Sequence, residues 1–388
     1  MTELIGNWNY PTSIFAGAGR ISELANACKS LGMSAPLIVT DPGLAPLPML
    51  VSAHAKCKAA NLQCGLFSNI QSNPSGQNVN DGMIAYQQGQ HDGVIAFGGG
   101  SALDAAKAIA LMVGQDRPLW DFEDVGDNWK RVNESRVAPI VAVPTTAGTG
   151  SEVGRASVIT DIENHVKKII FHPKMLPAIV ILDPELTVGL PANITAATGM
   201  DALSHSLEAL CSPFYHPMAE GVAVEGIRLV KNYLPRAVAD GQDIEARTQM
   251  LVASSMGATA FQKGLGGMHA LAHTLGALYG AHHGLLNAIL MPYILEANRR
   301  EIEEKIARLS CYLGLEKPDF EGFLDWVLDM RKHLNIPHTL AEIAIDDSQA
   351  DLIGKKAVKD PSAGGKPISF SAEQYSQNFI NALKGKLQ

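Results

Sequence analysis

The sequence predicts an α/β N-terminal domain with a mostly parallel sheet, followed by an all-α C-terminal domain. In the first half of the chain, short apolar runs alternate with helical patterns, and such runs are typical of strands buried on both faces of a parallel sheet. After about Val188 the strand-like runs stop, and helical patterns continue to the end. We therefore predict two domains, at residues 1–188 and 189–388.

Five apolar runs are the predicted strands of the first domain. They cover residues 37–40, 93–97, 139–143, 168–171 and 178–182. Helical patterns accompany them at residues 22–31, 49–60, 80–88 and 101–113. This alternation predicts βαβ units. In the second domain, helices are predicted at residues 191–211, 218–234, 244–261, 284–298 and 302–313.

The composition is that of a soluble globular protein, with 46% hydrophobic and 18% charged residues. A net charge of −8 argues against nucleic acid or an anionic membrane as the main partner. The five cysteines are scattered and form no CxxC pair, which favours a reduced, cytoplasmic setting. The first eight residues lack the pattern of a signal peptide, and no apolar run approaches the ~20 residues that span a bilayer.

A glycine-rich turn follows the second predicted strand and leads into a helix. Its residues are Gly98, Gly99, Gly100 and Ser101. Glycines allow the backbone to approach a phosphate closely, and the N-terminus of the following helix offers unpaired N–H groups. The same residues would also suit a tight turn without a ligand.

Two further features follow strands, where open α/β sheets bind ligands. Residues 144–151, Pro-Thr-Thr-Ala-Gly-Thr-Gly-Ser, combine four hydroxyls and two glycines, which suit either a cofactor or a plain turn. Asp41 ends the first strand, where a carboxylate can bind both hydroxyls of an adenosine ribose and favour NAD over NADP, or can form an Asp-Pro-Gly turn. Because the acid precedes the glycines, the predicted nucleotide site is a variant of the usual fingerprint.

An Asp and several His in the second domain predict a metal site. Asp201 and His205 are four residues apart on one helical face, as are His269 and His273, and His283 follows. Buried imidazoles need partners, so this concentration of His is unusual for a packed core. We predict that Asp201, His205, His269 and His283 hold one divalent ion, either Zn(II) or Fe(II). Helix capping or hydrogen bonding in the core is the alternative for these His.

The predicted metal site requires the chain to bend. Fourteen residues of unbroken helix would separate His269 from His283 by ~21 Å. Gly280 and Gly284 supply residues for a loop between two helices, and His282 would then point elsewhere. Glu208 and Glu220 lie near the site in sequence and are expected to face solvent.

Four segments together resemble the iron-containing, or group III, alcohol dehydrogenases. They are residues 98–101, 144–152, 190–205 and 269–287. The resemblance begins near Asn9 and extends to the C-terminus. The two segments with Asp and His are specific, whereas the glycine segment is shared with glycerol dehydrogenase and dehydroquinate synthase.

The resemblance implies a dehydroquinate synthase-like architecture, with an N-terminal dinucleotide domain, a helical metal domain and a site in the cleft between them. It implies that iron is bound by Asp201, His205, His269 and His283, and that His273 lies close to the nicotinamide without binding the metal. The residues implied to contact NAD are Asp41 at the adenosine ribose, Gly99, Gly100 and Ser101 at the pyrophosphate, Thr145, Thr146 and Thr149 along the cofactor, and Lys167 at a ribose hydroxyl. Many members of the family are homodimers.

The expected function is therefore that of an NAD-dependent, metal-assisted alcohol dehydrogenase or aldehyde reductase acting on a small alcohol or diol, with His273 as a proton relay. The chain departs from the family's usual residues at Gly154, at Ala281-His282 and at residues 360–367, which bears on the substrate. A lyase-like relative of dehydroquinate synthase, a polyol dehydrogenase or a nucleotide-binding protein without turnover are the alternatives. Net NADH formation separates the dehydrogenases from the other two.

Overall fold

The computed structural model describes residues 12–164 and 166–387. The first eight residues, considered above for a signal peptide, and Asn9, where the resemblance begins, lie outside this range. The described chain divides into two compact units, one ending at Gly189 and the other beginning at Leu190.

The N-terminal unit contains a six-stranded parallel sheet and a separate β-hairpin. Its strands are β1 (Ser13–Ala16), β2 (Pro36–Val39), β3 (Gly65–Phe67), β4 (Gly93–Gly98), β5 (Ile140–Pro144), β6 (Ala156–Asp161), β7 (Val166–Phe171) and β8 (Ile179–Leu182). The sheet has the order β1-β8-β5-β4-β2-β3, and every neighbouring pair is parallel. Strands β2, β4, β5 and β8 are buried along their whole length, as strands covered on both faces are.

Helices connect the strands, and the regular structure in the described part of the C-terminal unit is entirely helical. In the N-terminal unit they are α1 (Leu24–Ser30), α2 (Pro48–Ala59), α3 (Gly76–Gln88) and α4 (Gly100–Met112). In the C-terminal unit they are α5 (Ala192–Cys211), α6 (Pro217–Ala239), α7 (Ile244–Ala260), α8 (Gly267–Tyr279), α9 (His283–Tyr312), α10 (Phe320–His333), α11 (Ala350–Ala357) and α12 (Ala372–Lys384). Within the described ranges, no helix has the length and apolar character needed to cross a membrane.

The predicted fold class is confirmed, with corrections to individual elements. The run at residues 168–171 was expected in the parallel sheet, but it belongs to β7, which pairs antiparallel with β6. The reason is that β6 alternates between buried and half-buried positions, so the hairpin has one covered face only. The runs at 284–298 and 302–313 form the single helix α9. Arg299 and Glu303 form an ion pair one turn apart on its exposed side, and such a pair stabilises a continuous helix where a break was predicted.

A buried ion pair joins α4 to the loop that follows β5. Asp104 accepts hydrogen bonds from the Ser151 hydroxyl and from Val158 N at 2.9 Å, and it pairs with Lys107 at 3.2 Å. The Lys107 ammonium also donates to the carbonyl oxygens of Ser151, at 2.9 Å, and of Ala156. Lys107 is 1% exposed, so this network fixes the loop against the helix that begins at the glycine turn.

Replacing Lys107 by Met should destabilise the protein by about 3–5 kcal/mol, because it leaves the Asp104 carboxylate buried without its cation. Urea unfolding of Lys107→Met and of Lys58→Met measures the effect, since Lys58 is an exposed lysine on α2 of the same unit. Equal stability of the two variants would show that the Asp104–Lys107 pair contributes nothing.

Candidate functional site

Four predicted metal ligands lie together in the C-terminal unit. Asp201 and His205 are one turn apart on α5, His269 is on α8, and His283 is the first residue of α9. One ligand atom from each residue lies within 4.8 Å of the others. The first three side chains are buried and His283 is half-buried. Residues from three helices therefore converge on one small region.

The chain between α8 and α9 makes this convergence possible. Helix α8 ends at Tyr279, and α9 begins after three intervening residues, so the break in the helix that the separation of His269 and His283 requires is present. A Cβ atom on Gly284 would lie 2.5 Å from the Ala197 carbonyl oxygen and 3.1 Å from Asp201 Cβ. The absence of a side chain at 284 thus lets α9 approach α5 closely, and His283 Nε2 lies 3.6 Å from Asp201 Oδ1.

The Asn287 side chain shows where the lone pairs of these residues point. Its Nδ2 lies 2.8 Å from Asp201 Oδ1 and 3.2 Å from both His269 Nε2 and His283 Nε2. An amide nitrogen carries two hydrogens, so three acceptors converge on a donor that can satisfy two. One carboxylate and three imidazoles whose ligand atoms lie within 4.8 Å of one another are a donor set that fits Zn(II) or Fe(II).

The charge state of Asp201 suits a metal ligand. Burial disfavours the carboxylate, but His205, His283 and His269 outweigh that effect together with the Asn287 amide, and they hold the pKa of Asp201 at about 2. The residue is therefore ionised at neutral pH. Metal ions bind carboxylate only in this deprotonated form.

Glu208 was expected to face solvent, and this expectation was wrong. The residue is 7% exposed, and its carboxylate accepts hydrogen bonds from Gly266 N, Met268 N and His269 Nδ1, each at 2.7 Å. Glu208 lies three residues after His205 and therefore on the same face of α5, a spacing that could have revealed it. Burial disfavours the imidazolium of His269, but the hydrogen bond and charge of Glu208 outweigh it and raise the pKa of His269.

Glu220 also has partners that the sequence did not reveal. It is half-buried on α6 and accepts from Lys263 Nζ at 2.7 Å and from Lys305 Nζ at 3.2 Å. These contacts tie α6 to its neighbours and leave Glu220 outside the Asp-His cluster.

The remaining two histidines of this region have different surroundings. His273 Nδ1 lies 3.2 Å from Asp360 Oδ2 and 3.4 Å from Ser362 Oγ, and its ring stacks on that of His283 with centroids 5.1 Å apart. His282 accepts a hydrogen bond from Leu285 N at 3.4 Å and thereby caps α9. His273 is thus beside the cluster with Nδ1 turned away toward a carboxylate, and His282 has a structural role.

The glycine turn of the N-terminal unit lies against the hydroxyl-rich loop. Strand β4 ends at Gly98, Gly99 is the N-cap of α4, and no side chain caps this helix. A Cβ on Gly100 would lie 2.6 Å from Thr149 Oγ1, and one on Gly99 would lie 3.4 Å from Thr146 Oγ1. The two predicted cofactor segments are therefore adjacent, and the open amides at the start of α4 are an arrangement that suits phosphate.

Asp41 and Thr145 flank the same turn. Asp41 Oδ1 accepts hydrogen bonds from Gly43 N at 2.9 Å and Leu44 N at 3.0 Å, as in an Asx turn. Its Oδ2 would lie 3.7 Å from a Cβ on Gly98. Thr145 N donates to Gly98 O at 3.0 Å, which extends the ladder between the two segments. The turn and the nucleotide interpretations of Asp41 are compatible, because they use different oxygens.

Ser101 and Lys167 are linked through one segment, residues 72–75. The Ser101 hydroxyl donates to Ser72 O. Lys167 is half-buried on β7 and pairs in register with Thr160, whose N–H donates to Pro74 O at 2.7 Å. The hairpin β6–β7 is thereby attached to the neighbourhood of the glycine turn.

Two family models match the chain. Residues 11–184 match the model described as iron-containing alcohol dehydrogenase. Residues 195–383 match the model described as the C-terminal part of the Fe-containing alcohol dehydrogenase family. The first match contains the glycine turn and the hydroxyl-rich loop, and the second contains the whole Asp-His cluster.

Proteins of known activity are similar over the whole length. 4-Hydroxybutyrate dehydrogenase of Cupriavidus necator is 37% identical over 384 residues, which cover 96% of this chain and 99% of the relative. NAD-dependent methanol dehydrogenase of Bacillus methanolicus is 33% identical, with coverage of 97% and 100%. A solved structure of 1,3-propanediol oxidoreductase matches with a TM-score of 0.93 at 32% identity, covering 98% of this chain and 100% of that one.

The close approach at Gly284 can be tested by adding one methyl group. Gly284→Ala should destabilise the metal-free protein by about 1–3 kcal/mol, because the contact at 2.5 Å is with a backbone oxygen that cannot rotate away. Gly221→Ala is the matched control, since Gly221 lies in α6 with nothing within 4 Å of its added Cβ. The midpoint of thermal unfolding in excess chelator should fall for Gly284→Ala and not for Gly221→Ala. If the midpoint rises in both variants, α5 and α9 are not closely packed at Gly284.

Proposed function

We propose a function for this chain from one premise, namely that it belongs to the family of iron-containing alcohol dehydrogenases. It is an oxidoreductase that interconverts an alcohol and the corresponding aldehyde with NAD and a divalent metal. The observation that carries the detailed proposal is the convergence of one carboxylate and three imidazoles from α5, α8 and α9.

The metal ligands in this proposal are Asp201, His205, His269 and His283. Their mutual distances and the ionised state of Asp201 support it. So does Asn287, because its amide nitrogen contacts Asp201 Oδ1, His269 Nε2 and His283 Nε2, through which these three residues would bind a metal. We propose iron as the metal because of the family, and Zn(II) as the ion that the same donor set would also accept.

We propose that residues 1–188 form an NAD-binding domain and residues 189–388 a metal domain. The glycine turn at residues 98–101 would hold the pyrophosphate at the uncapped start of α4. Thr145, Thr146 and Thr149 would line the cofactor beside that turn. Asp41 would bind the adenosine ribose through Oδ2, and Lys167 would bind a ribose hydroxyl.

When bound, the divalent ion polarises the substrate oxygen and the nicotinamide exchanges the hydride. The ionised Asp201 and its three imidazole neighbours would hold the ion from three helices, α5, α8 and α9. His273 is the proposed proton relay. Because Asp360 and Ser362 occupy the Nδ1 side of its ring, Nε2 is the atom that takes up and releases the proton.

The proposed substrates are small primary alcohols, diols and their aldehydes. The relatives reported above are named for 4-hydroxybutyrate, methanol and 1,3-propanediol, which are all compounds with a primary hydroxyl. We further propose that the protein is a cytoplasmic homo-oligomer, a dimer or a higher assembly, and light scattering of the purified protein tests its oligomeric state.

The central experiment is NADH formation with a panel of primary alcohols, diols and ω-hydroxy acids, on protein reconstituted anaerobically with Fe(II) or Zn(II). We expect metal-dependent turnover, with the more active ion identifying the metal. His269→Ala should lose bound metal and at least 100-fold in kcat/KM, on the order of the losses seen when a group that orients charge is removed. His333→Ala, which changes an exposed histidine of α10, is the control.

Two results would contradict the proposal. Full activity of His269→Ala after chelation would show that His269 is not a metal ligand. Bound NAD and metal without net NADH on any alcohol would instead favour a lyase-like reaction or a protein without turnover.

The coenzyme preference can be tested at Asp41. Asp41→Asn keeps an acceptor for Gly43 N and Leu44 N, so the turn should persist, but it removes the charge that opposes a 2′-phosphate. The ratio of kcat/KM for NAD to that for NADP should fall by about tenfold, which corresponds to ~1.4 kcal/mol. An unchanged ratio, with wild-type KM for the alcohol, would place the 2′-hydroxyl away from Asp41.

A further inference from the structure

Glu208 is a buried carboxylate whose two oxygens are both engaged by one short segment. Oε2 accepts hydrogen bonds from Gly266 N and His269 Nδ1, and Oε1 accepts one from Met268 N, each at 2.7 Å. The side chain is 7% exposed. An ionised group at this depth requires such partners, and here all three come from residues 266–269.

These contacts determine which nitrogen of His269 carries the lone pair. A carboxylate oxygen can only accept, so Nδ1 must be the protonated nitrogen. Nε2 is then the acceptor in the neutral ring, and it is the atom that lies 3.2 Å from Asn287 Nδ2 within the Asp-His cluster. Glu208 therefore selects the tautomer of His269 that a metal requires at Nε2.

The Glu208 carboxylate also fixes the start of helix α8, the helix that carries the His269 ring. Helix α8 begins at Gly267, and its N-cap, Gly266, provides no side-chain cap. Glu208 takes that role from α5 by accepting the first N–H groups, where a negative charge is favourable. A Cβ on Gly266 would lie 2.8 Å from Glu208 Oε1, so the contact depends on a residue without a side chain at this position.

We propose that Glu208 is a positioning residue for the metal site, which acts through His269 by fixing the tautomer and the orientation of its ring. This inference rests on the proposed function, because it assumes that the cluster binds a divalent ion. Asp201 and Glu208 each contribute one negative charge. Together they would balance the two positive charges of a divalent ion whose other ligands are neutral imidazoles. Glu208 itself does not reach the ion in this arrangement, because its oxygens face Nδ1 and the backbone of α8.

The test is the affinity of the metal-free protein for Zn(II), measured by competition with a chromophoric chelator. Glu208→Gln should weaken Zn(II) binding by about 10–100-fold, because it removes the negative charge that faces His269 Nδ1 and replaces one of the two acceptor oxygens by an NH₂ group, which can only donate. Glu220→Gln is the matched control, since Glu220 is a half-buried carboxylate that bonds lysines of the same unit and lies outside the cluster. It should bind Zn(II) as the wild type does.

A merely structural cap would give a different result. In that case Glu208→Gln would lower the midpoint of thermal unfolding of the metal-free protein and leave the Zn(II) dissociation constant unchanged, which overturns the proposal. Should Glu208→Gln fail to fold, Gly266→Ala decides by the same titration, because its methyl group displaces the native carboxylate. Wild-type affinity in Gly266→Ala, with Glu208 displaced, would likewise overturn it.

The failure of this inference is distinguishable from failure of the proposed function. If His269→Ala binds Zn(II) as tightly as the wild type, the metal assignment itself is wrong. If His269→Ala loses Zn(II) while Glu208→Gln retains wild-type affinity, the metal site stands and only the role of Glu208 is refuted.

Discussion

The C-terminal unit is organised around an ionised carboxylate buried between helices. Asp201 is 3% exposed, and removing such a group from water costs several kcal/mol, on the order of what a single domain has as net stability. The cost of burying Asp201 is offset by His205 on the same helix, by His269 on α8, and by His283 and Asn287 on α9. The three helices must therefore pack in one register, and the short turn before α9 allows that helix to pack in it.

The N-terminal unit satisfies a comparable requirement with backbone groups. Gly99 and Gly100 lie next to the side chains of Thr146 and Thr149, and no side chain caps the amides that begin α4. The buried ion pair of Asp104 and Lys107 lies in α4, the helix that follows the glycine turn, and stabilises it. A rigid support under an open backbone surface is what recognition of a phosphate by N–H groups needs, because the groups must be oriented before the ligand arrives.

The fold class and the convergence of the Asp-His cluster could be predicted from the sequence because both depend on local spacing. Asp201 and His205 share a helical face, and the distance between His269 and His283 demanded a bend. Strands β1 and β3 were missed because they are short and mostly not buried, which leaves no apolar run to recognise. Glu208 was misjudged for another reason: a glutamate is rarely buried unless paired, and its partners lie some 60 residues away in sequence, at the start of α8.

A proton and a metal ion are alternative partners for the negative charges of this region. Burial opposes an imidazolium at position 269, yet Glu208, Asp201 and Asp360 raise its pKa. The protonated ring therefore stabilises the metal-free fold below the ordinary pKa of histidine, and that contribution is lost as the pH rises through the raised value. In the proposed metal site a divalent ion would bind the deprotonated ring, so its affinity would increase over the pH range in which the contribution of the proton declines. The buried carboxylates thus have a positive partner on both sides of that pKa, provided that a metal is bound on the alkaline side.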